Sequence, residues 1–164
     1  MLDRNTKKSM DALPSRGRKG LFRPRHPEKY AGDAGSIVYR SEMERVFMSK
    51  LDASPDVLAW ASEPLIIPWA DPATGRQRRY VPDFLVKRRG RDGVTETILV
   101  EVKMRKESPQ HARPEKRNKT TKRFIAEVMT IEHNRCKWQA AERFCAAHGM
   151  KFMVLTETEL GPRR

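Results

Sequence analysis

Residues 79–103 read Arg79-Tyr80-Val81-Pro82-Asp83-Phe84-Leu85-Val86-Lys87-Arg88-Arg89-Gly90-Arg91-Asp92-Gly93-Val94-Thr95-Glu96-Thr97-Ile98-Leu99-Val100-Glu101-Val102-Lys103, and the fold is decided there. Two runs rich in β-branched and aromatic residues flank Arg89–Gly93, whose glycines and aspartate have the composition of a turn. The stretch therefore predicts an antiparallel pair, one strand from about Arg79 to Val86 and its return from Thr95 to Lys103. Successive side chains in a strand point to opposite faces, so Thr97, Leu99, Glu101 and Lys103 share one side and Ile98, Val100 and Val102 the other. The second set is wholly apolar and reads as a core face. Glu101 and Lys103 then project side by side from an anchored strand end, and Asp83, directly after Pro82, can converge on them.

Working upstream, Asp71-Pro72-Ala73-Thr74-Gly75 has turn composition and implies a hairpin, with extended structure in Leu65–Trp69 and in Val57–Trp60 before it. Ser41 is placed to cap a helix with Glu44 three residues on, and Met43 to Leu51 carry apolar residues at helical spacing. Downstream, Met104 to Thr120 reads as a basic loop containing Pro109 and Pro114. Lys122 to Ala147 reads as helix, with an interruption expected near Glu132–Asn134 where the apolar stripe loses phase; Gly149 stops it, and Lys151–Leu155 forms a last strand. The order is α-β-β-β-α-β without internal repeat, an α/β fold whose central sheet is flanked by helices. Residues 1–35, rich in Lys, Arg, Pro and Gly, cannot bury enough surface to offset ordering and are expected to form a basic, partly disordered arm; residues 36–160 form the domain.

Composition narrows the partners. The 164 residues are 38% hydrophobic, enough for one domain with a modest core, and 34 Lys and Arg against 21 acidic residues give a net charge of +13 and a pI near 10.2. A polyanion, nucleic acid above all, is the expected partner; charge argues for binding and not for chemistry. Cys136 and Cys145 show no zinc-ligand spacing, and no disulfide is expected. His26, His111, His133 and His148 have neither metal spacing nor a nucleophile partner and are read as structural or DNA-facing. No phosphate-binding glycine loop is present, so ATP is not expected, and no apolar run approaches the ~20 residues that span a bilayer.

The chemistry follows from the residue types. Two carboxylates bind Mg²⁺ through hard oxygen ligands, the metal polarises a phosphodiester and acidifies an attacking water, and a lysine meets the developing negative charge. The plain alternative is that Glu101 and Lys103 are an ordinary exposed pair. Glu44 falls inside the apolar stripe of the first helix with Met43, Phe47, Met48 and Leu51, so its carboxylate faces the protein and should meet a cation, either a metal held by Asp83 and Glu101 or an arginine such as Arg40. Lys137 lies on the inward face of the last helix with Ala141, Phe144, Cys145 and His148, as an extra phosphate contact or as a lysine snorkelling from the core edge. Basic clusters at Arg16, Arg18, Lys19, Arg23 and Arg25, at Arg76, Arg78 and Arg79, and at Lys116, Arg117, Lys119, Lys122 and Arg123 can track phosphates or stand as solvated surface.

These residues carry a resemblance. Tyr39-Arg40-Ser41 with Glu44, Trp60-Ala61-Ser62-Glu63, Ile67-Pro68, Arg79 to Phe84 and Leu99 to Lys103 resemble the head completion nucleases of tailed phages. They resemble, more distantly, transposon-end endonuclease subunits with the same core. The match continues through Asn134, Lys137, Trp138 and Ala141 to Phe152 and Thr156-Glu157, and upstream through Pro27, Tyr30, Gly32 and Asp33. The resemblance implies a restriction-endonuclease-like mixed sheet of the PD-(D/E)xK class and a Mg²⁺-dependent endonuclease, with Mn²⁺ as a substitute, processing double-stranded DNA ends around packaging. It implies action in the host bacterial cytoplasm or on the virion, beside portal, head–neck or terminase proteins. Carried onto this chain, Glu44, Asp83, Glu101 and Lys103 would be the catalytic set, with Arg40 and Lys137 in support. Two alternatives stand beside it: a non-catalytic DNA-binding head or neck protein, and a transposon-end or branched-DNA endonuclease of the same fold.

Overall fold

The computed structural model describes residues 19–110 and 122–161. Along the chain run β1 (Gly20–Leu21), β2 (Val38–Tyr39), α1 (Glu42–Ala53), β3 (Val57–Ser62), β4 (Ile67–Ala70) and β5 (Gln77–Tyr80). There follow β6 (Phe84–Arg89), β7 (Thr95–Val102), α2 (Lys122–Ala147), β8 (Lys151–Leu155) and α3 (Glu157–Leu160). The central sheet has the order β3-β6-β7-β8; the first two pairings are antiparallel and β7 with β8 is parallel, so it is the expected mixed sheet, with α2 as the crossover. The β6–β7 hairpin turns at Gly93, which has φ 78°, a left-handed conformation that glycine adopts without a Cβ clash.

Both faces of this sheet are covered. Ile98 and Val100 pack with Phe84, Val86 and Trp60 against Phe47, Met48 and Leu51 of α1, while Leu99 packs with Trp138, Ala141 and Cys145 of α2. Alternation along β7 thus sends its two apolar sets into separate cores, and Glu101 follows Leu99 onto the α2 side. The aliphatic face read as a core face is one of two.

Two elements differ from their expected form. The strand expected from Arg79 to Val86 is two strands, because Val81-Pro82-Asp83 breaks it: proline has no N–H for the ladder, so β5 pairs with β4 and β6 starts afresh beside β7. The interruption expected at Glu132–Asn134 is absent, and α2 runs unbroken for 26 residues. The phase change marks a change of surroundings instead. Ile125, Val128 and Met129 of the first half stay exposed, and burial begins at Asn134 and continues through Trp138, Ala141 and Cys145.

Of the segment expected to be an arm, residues 19–35 lie against the domain. Gly20 and Leu21 pair with Tyr39 and Val38, and the rings of Phe22 and Tyr30 meet Trp60 edge-on at 6.0 and 4.7 Å. The buried carboxylate of Asp52 accepts the Arg25 and His26 amides at 2.7 and 2.9 Å. Lys29 donates to the carbonyls of Asp52 and Ser54. Arg16 and Arg18 lie outside the described residues, as do His111, Lys116, Arg117 and Lys119; Lys19 is exposed.

Candidate active site

The backbone pairing of β6 with β7 ends at Phe84 and Val100. The register that pairs Phe84 with Val100 brings Asp83, one step on, beside Glu101. Asp83 is held at both ends of its residue: its carbonyl accepts the Glu63 amide at 2.8 Å, and its Oδ2 accepts the Val102 amide at 2.8 Å. A side-chain oxygen thus takes a ladder bond where the backbone pairing of β6 with β7 gives out. Lys103, the next residue, donates its amide to the Leu155 carbonyl at 2.9 Å, tying the strand end to β8.

Glu101 is buried, and its Oε2 accepts the Tyr80 hydroxyl at 2.7 Å. Asp83 Oδ2 and Glu101 Oε2 are the oxygens so engaged; Oδ1 and Oε1 accept no hydrogen bond from the described residues. A cleft of about 790 Å³, the size of a small-ligand site, is lined by Glu44, Asp83, Glu101, Lys103 and Glu107 among others. The four residues expected to act together therefore face one cavity.

Electrostatics mark this wall. Asp83 is held well above the usual carboxylate range, first by desolvation and then by the charge of Glu101, with Glu44 adding to it against the Val102 amide and Lys103. Desolvation also raises Glu101, opposed by the Tyr80 hydroxyl, Lys103 and Lys137. Among the described residues neither Asp83 nor Glu101 has an ion-pair partner, so a divalent cation would neutralise the charge of this pair. Among the described residues no three carboxylate, imidazole or thiol groups are clustered as a ready-made metal cage. The donor set that fits an ion is the Asp83–Glu101 pair, with open oxygens of the hard type that suits Mg²⁺.

Glu44 lines the cleft with Asp83 and Glu101, and its carboxylate is bonded locally. Its carboxylate accepts the Arg40 amide at 2.8 Å and the Ser41 hydroxyl at 2.9 Å, while its own amide donates to the Ser41 hydroxyl oxygen at 3.1 Å. This reciprocal cap of α1 satisfies the half-buried carboxylate without a cation, so the argument that burial obliges it to meet one does not hold. Nor does it pair with the Arg40 guanidinium, which is bonded to Glu63. Glu63 sits at φ 47°, a strained position for a residue with a Cβ, fixed by its amide on Asp83 and its carboxylate on Arg40.

The cations divide. Lys103 stands 3.7 Å from Glu107 with its side chain 29% exposed, loosely enough held to be shared with a ligand. Lys137 is half-buried, its ammonium 5.7 Å from the centre of the Trp69 ring. Burial, with Lys103 and Arg78 nearby, lowers its proton affinity, against the pull of Glu101. Arg78 is engaged by the buried Asp71 at 2.6 Å, which also meets His133 of α2 at 3.1 Å; this fastens the β4–β5 hairpin to the helix. Arg79 is exposed on the other side of that hairpin.

The roles of Tyr80, Glu63 and Glu107 and the Asp71–Arg78–His133 cluster are not among the expectations from the sequence. Tyr80 was within reach, since it alternates with Arg79 on a strand bearing one large apolar residue among polar ones. Its partner, 21 residues away, was not. Asn134 is a further support: buried on α2, it donates to the Glu107 carbonyl at 3.0 Å and fixes the turn after Lys103.

Comparison with known proteins sets the chain beside nucleases. Residues 54–157 match the family described as TnsA-like endonuclease, N-terminal. The chain is also 36% identical over 142 residues to the head completion nuclease of Enterobacteria phage T4, an alignment covering 86% of this chain and 92% of that protein.

Proposed function

The chain belongs to the TnsA-like endonuclease family, and from that premise we propose that it is a Mg²⁺-dependent DNA endonuclease that processes DNA ends during completion of a phage head. What carries the reading is the pairing of Asp83 with Glu101, each with one unengaged oxygen, in a cleft that Lys103 also lines. The head-completion setting is drawn from the phage T4 relative, nearly all of whose length is covered.

Mg²⁺, or Mn²⁺ in its place, would be held by Asp83 and Glu101; when bound, such an ion polarises a phosphodiester oxygen and lowers the pKa of water. The chain's own residues do the rest. The Val102 amide and the Tyr80 hydroxyl orient the two carboxylates before substrate arrives, so no reorganisation is needed at the reaction. Lys103 offers its ammonium to the charge that develops on the scissile phosphate. Glu44 adds negative charge to the same wall and keeps the start of α1 in place beside it. The net charge of +13 draws duplex DNA to the surface with a strong dependence on salt.

The test is cleavage of linear, overhanging and branched duplexes in Mg²⁺, with EDTA and with Asp83→Asn. Cutting by the unaltered protein is expected, abolished by EDTA and reduced by on the order of a hundredfold or more in the variant, with salt-sensitive DNA binding retained. Binding of DNA without any cutting, or cutting indifferent to EDTA and to the variant, overturns the proposal.

A further inference from the structure

We propose that Tyr80 is a positioning residue for this reaction: its hydroxyl fixes one oxygen of Glu101 so that the other is presented to the metal ion. The inference rests on the reading of the site as a metal-dependent nuclease. Tyr80 is the last residue of β5, three positions before Asp83, so one short segment steadies one carboxylate and supplies the other. Its ring is 5% exposed and is enclosed by the second core, with Ile67, Trp69, Leu99 and Trp138. A hydroxyl on a ring so confined has little freedom, and at 2.7 Å it donates to Glu101 Oε2.

The chemistry of the pair runs in one direction. An ionised carboxylate only accepts hydrogen bonds, so the phenol is the donor. Glutamate has more rotatable bonds than aspartate and needs an external hold to keep a ligand oxygen in place; partners behind a metal ligand supply such holds, and their loss typically weakens metal binding about 10- to 100-fold. Asp83 takes its hold from the Val102 amide. Tyr80 is the equivalent for Glu101. Because β5 also carries the exposed Arg79, the strand that would meet DNA is the strand that steadies the ligand.

Tyr80→Phe keeps the ring and removes the donor. Mn²⁺ binding to the DNA-free protein is measured by calorimetry, alongside the Mg²⁺ concentration for half-maximal cleavage, DNA binding in EDTA and the thermal midpoint. A fall in Mn²⁺ affinity of about 10-fold or more is expected, with a matching rise in the Mg²⁺ requirement and DNA binding unchanged. Glu101→Asp, which draws the carboxylate back from the hydroxyl while leaving Tyr80 in place, should lose affinity too, and adding Tyr80→Phe to it should cost little more. An unaltered protein that binds Mn²⁺ and cuts DNA, with a folded Tyr80→Phe variant matching it in metal affinity, overturns the role of Tyr80 alone. Failure of the unaltered protein to bind Mn²⁺ overturns the metal-dependent reading and this inference with it.

Discussion

Replacing Asp83 by Asn should make the protein more stable while it reduces cleavage by on the order of a hundredfold or more, because burial and then the neighbouring charge of Glu101 both penalise an ionised Asp83. Asp83 lies beside Glu101, one step past the Phe84–Val100 pair, and the side chains of such cross-strand neighbours are roughly 5 Å apart. Two negative charges at that separation repel by about 3 kcal/mol at an effective dielectric near 20; the cleft opens to water, so about 2 kcal/mol is a fair net figure. Asn removes the charge and keeps an oxygen to accept the Val102 amide. For a chain of this size the thermal midpoint in EDTA at pH 7.5 should rise by about 4–8 °C. The sign of the pH dependence is fixed by the direction of the shift. Asp83 is raised in the folded state, so its penalty is absent below the ordinary aspartate pKa of about 3.9 and grows as pH climbs towards the raised value; the advantage of Asn should shrink on acidification. Mg²⁺ should then stabilise the unaltered protein and not the variant. Differential scanning calorimetry with and without Mg²⁺ checks all three. An Asn variant equal to or less stable than its parent at pH 7.5 in EDTA refutes the reasoning.

Further outcomes follow from the supports of the site. Ser41→Ala removes the cap that donates to and accepts from Glu44; a loss of about 1 kcal/mol should appear as a lower urea midpoint. Asp71→Asn unfastens the β4–β5 hairpin from Arg78 and His133. Burial raises Asp71, but the Ala73 amide, the Thr74 hydroxyl, Arg78 and His133 together hold it below the usual range. Its stabilisation is therefore present at neutral pH and lost as pH falls through the lowered value, so urea midpoints of parent and variant should differ at pH 7 and converge below pH 4.

The parts of the fold written in local pattern were legible. The alternation Ile98-Leu99-Val100-Glu101-Val102-Lys103 placed the acid and the lysine together at a strand end, and the Gly-rich turn before it fixed the hairpin. Ser41 with Glu44 announced the start of α1, and the capping bonds of that pair satisfy the half-buried Glu44 carboxylate that the helical wheel alone left in need of a cation. Pro82 likewise held the break between β5 and β6 in view. Other features depend on contacts between distant segments and leave no local trace. Tyr80 reaches Glu101 across 21 residues, and Phe22, Tyr30 and Asp52 draw the basic segment from residue 19 onto the domain. The phase drift in α2 was real, yet a helix can change neighbours without changing its hydrogen bonds, so periodicity alone could not distinguish a kink from a change of scenery.

The bond from the Val102 amide to Asp83 has a mechanical corollary. Rotating Asp83 out of place would strand that part-buried amide at the end of β7, where even a fully buried donor costs roughly 1–3 kcal/mol. If Asp83 acts as proposed, the centre would therefore behave as a fixed anvil. Accommodation of blunt, overhanging or branched DNA must come from bending of the nucleic acid and from the outer rim, so variants selected for altered substrate preference should accumulate on the β4–β5 hairpin and around Lys103, leaving Asp83 and its amide partner untouched.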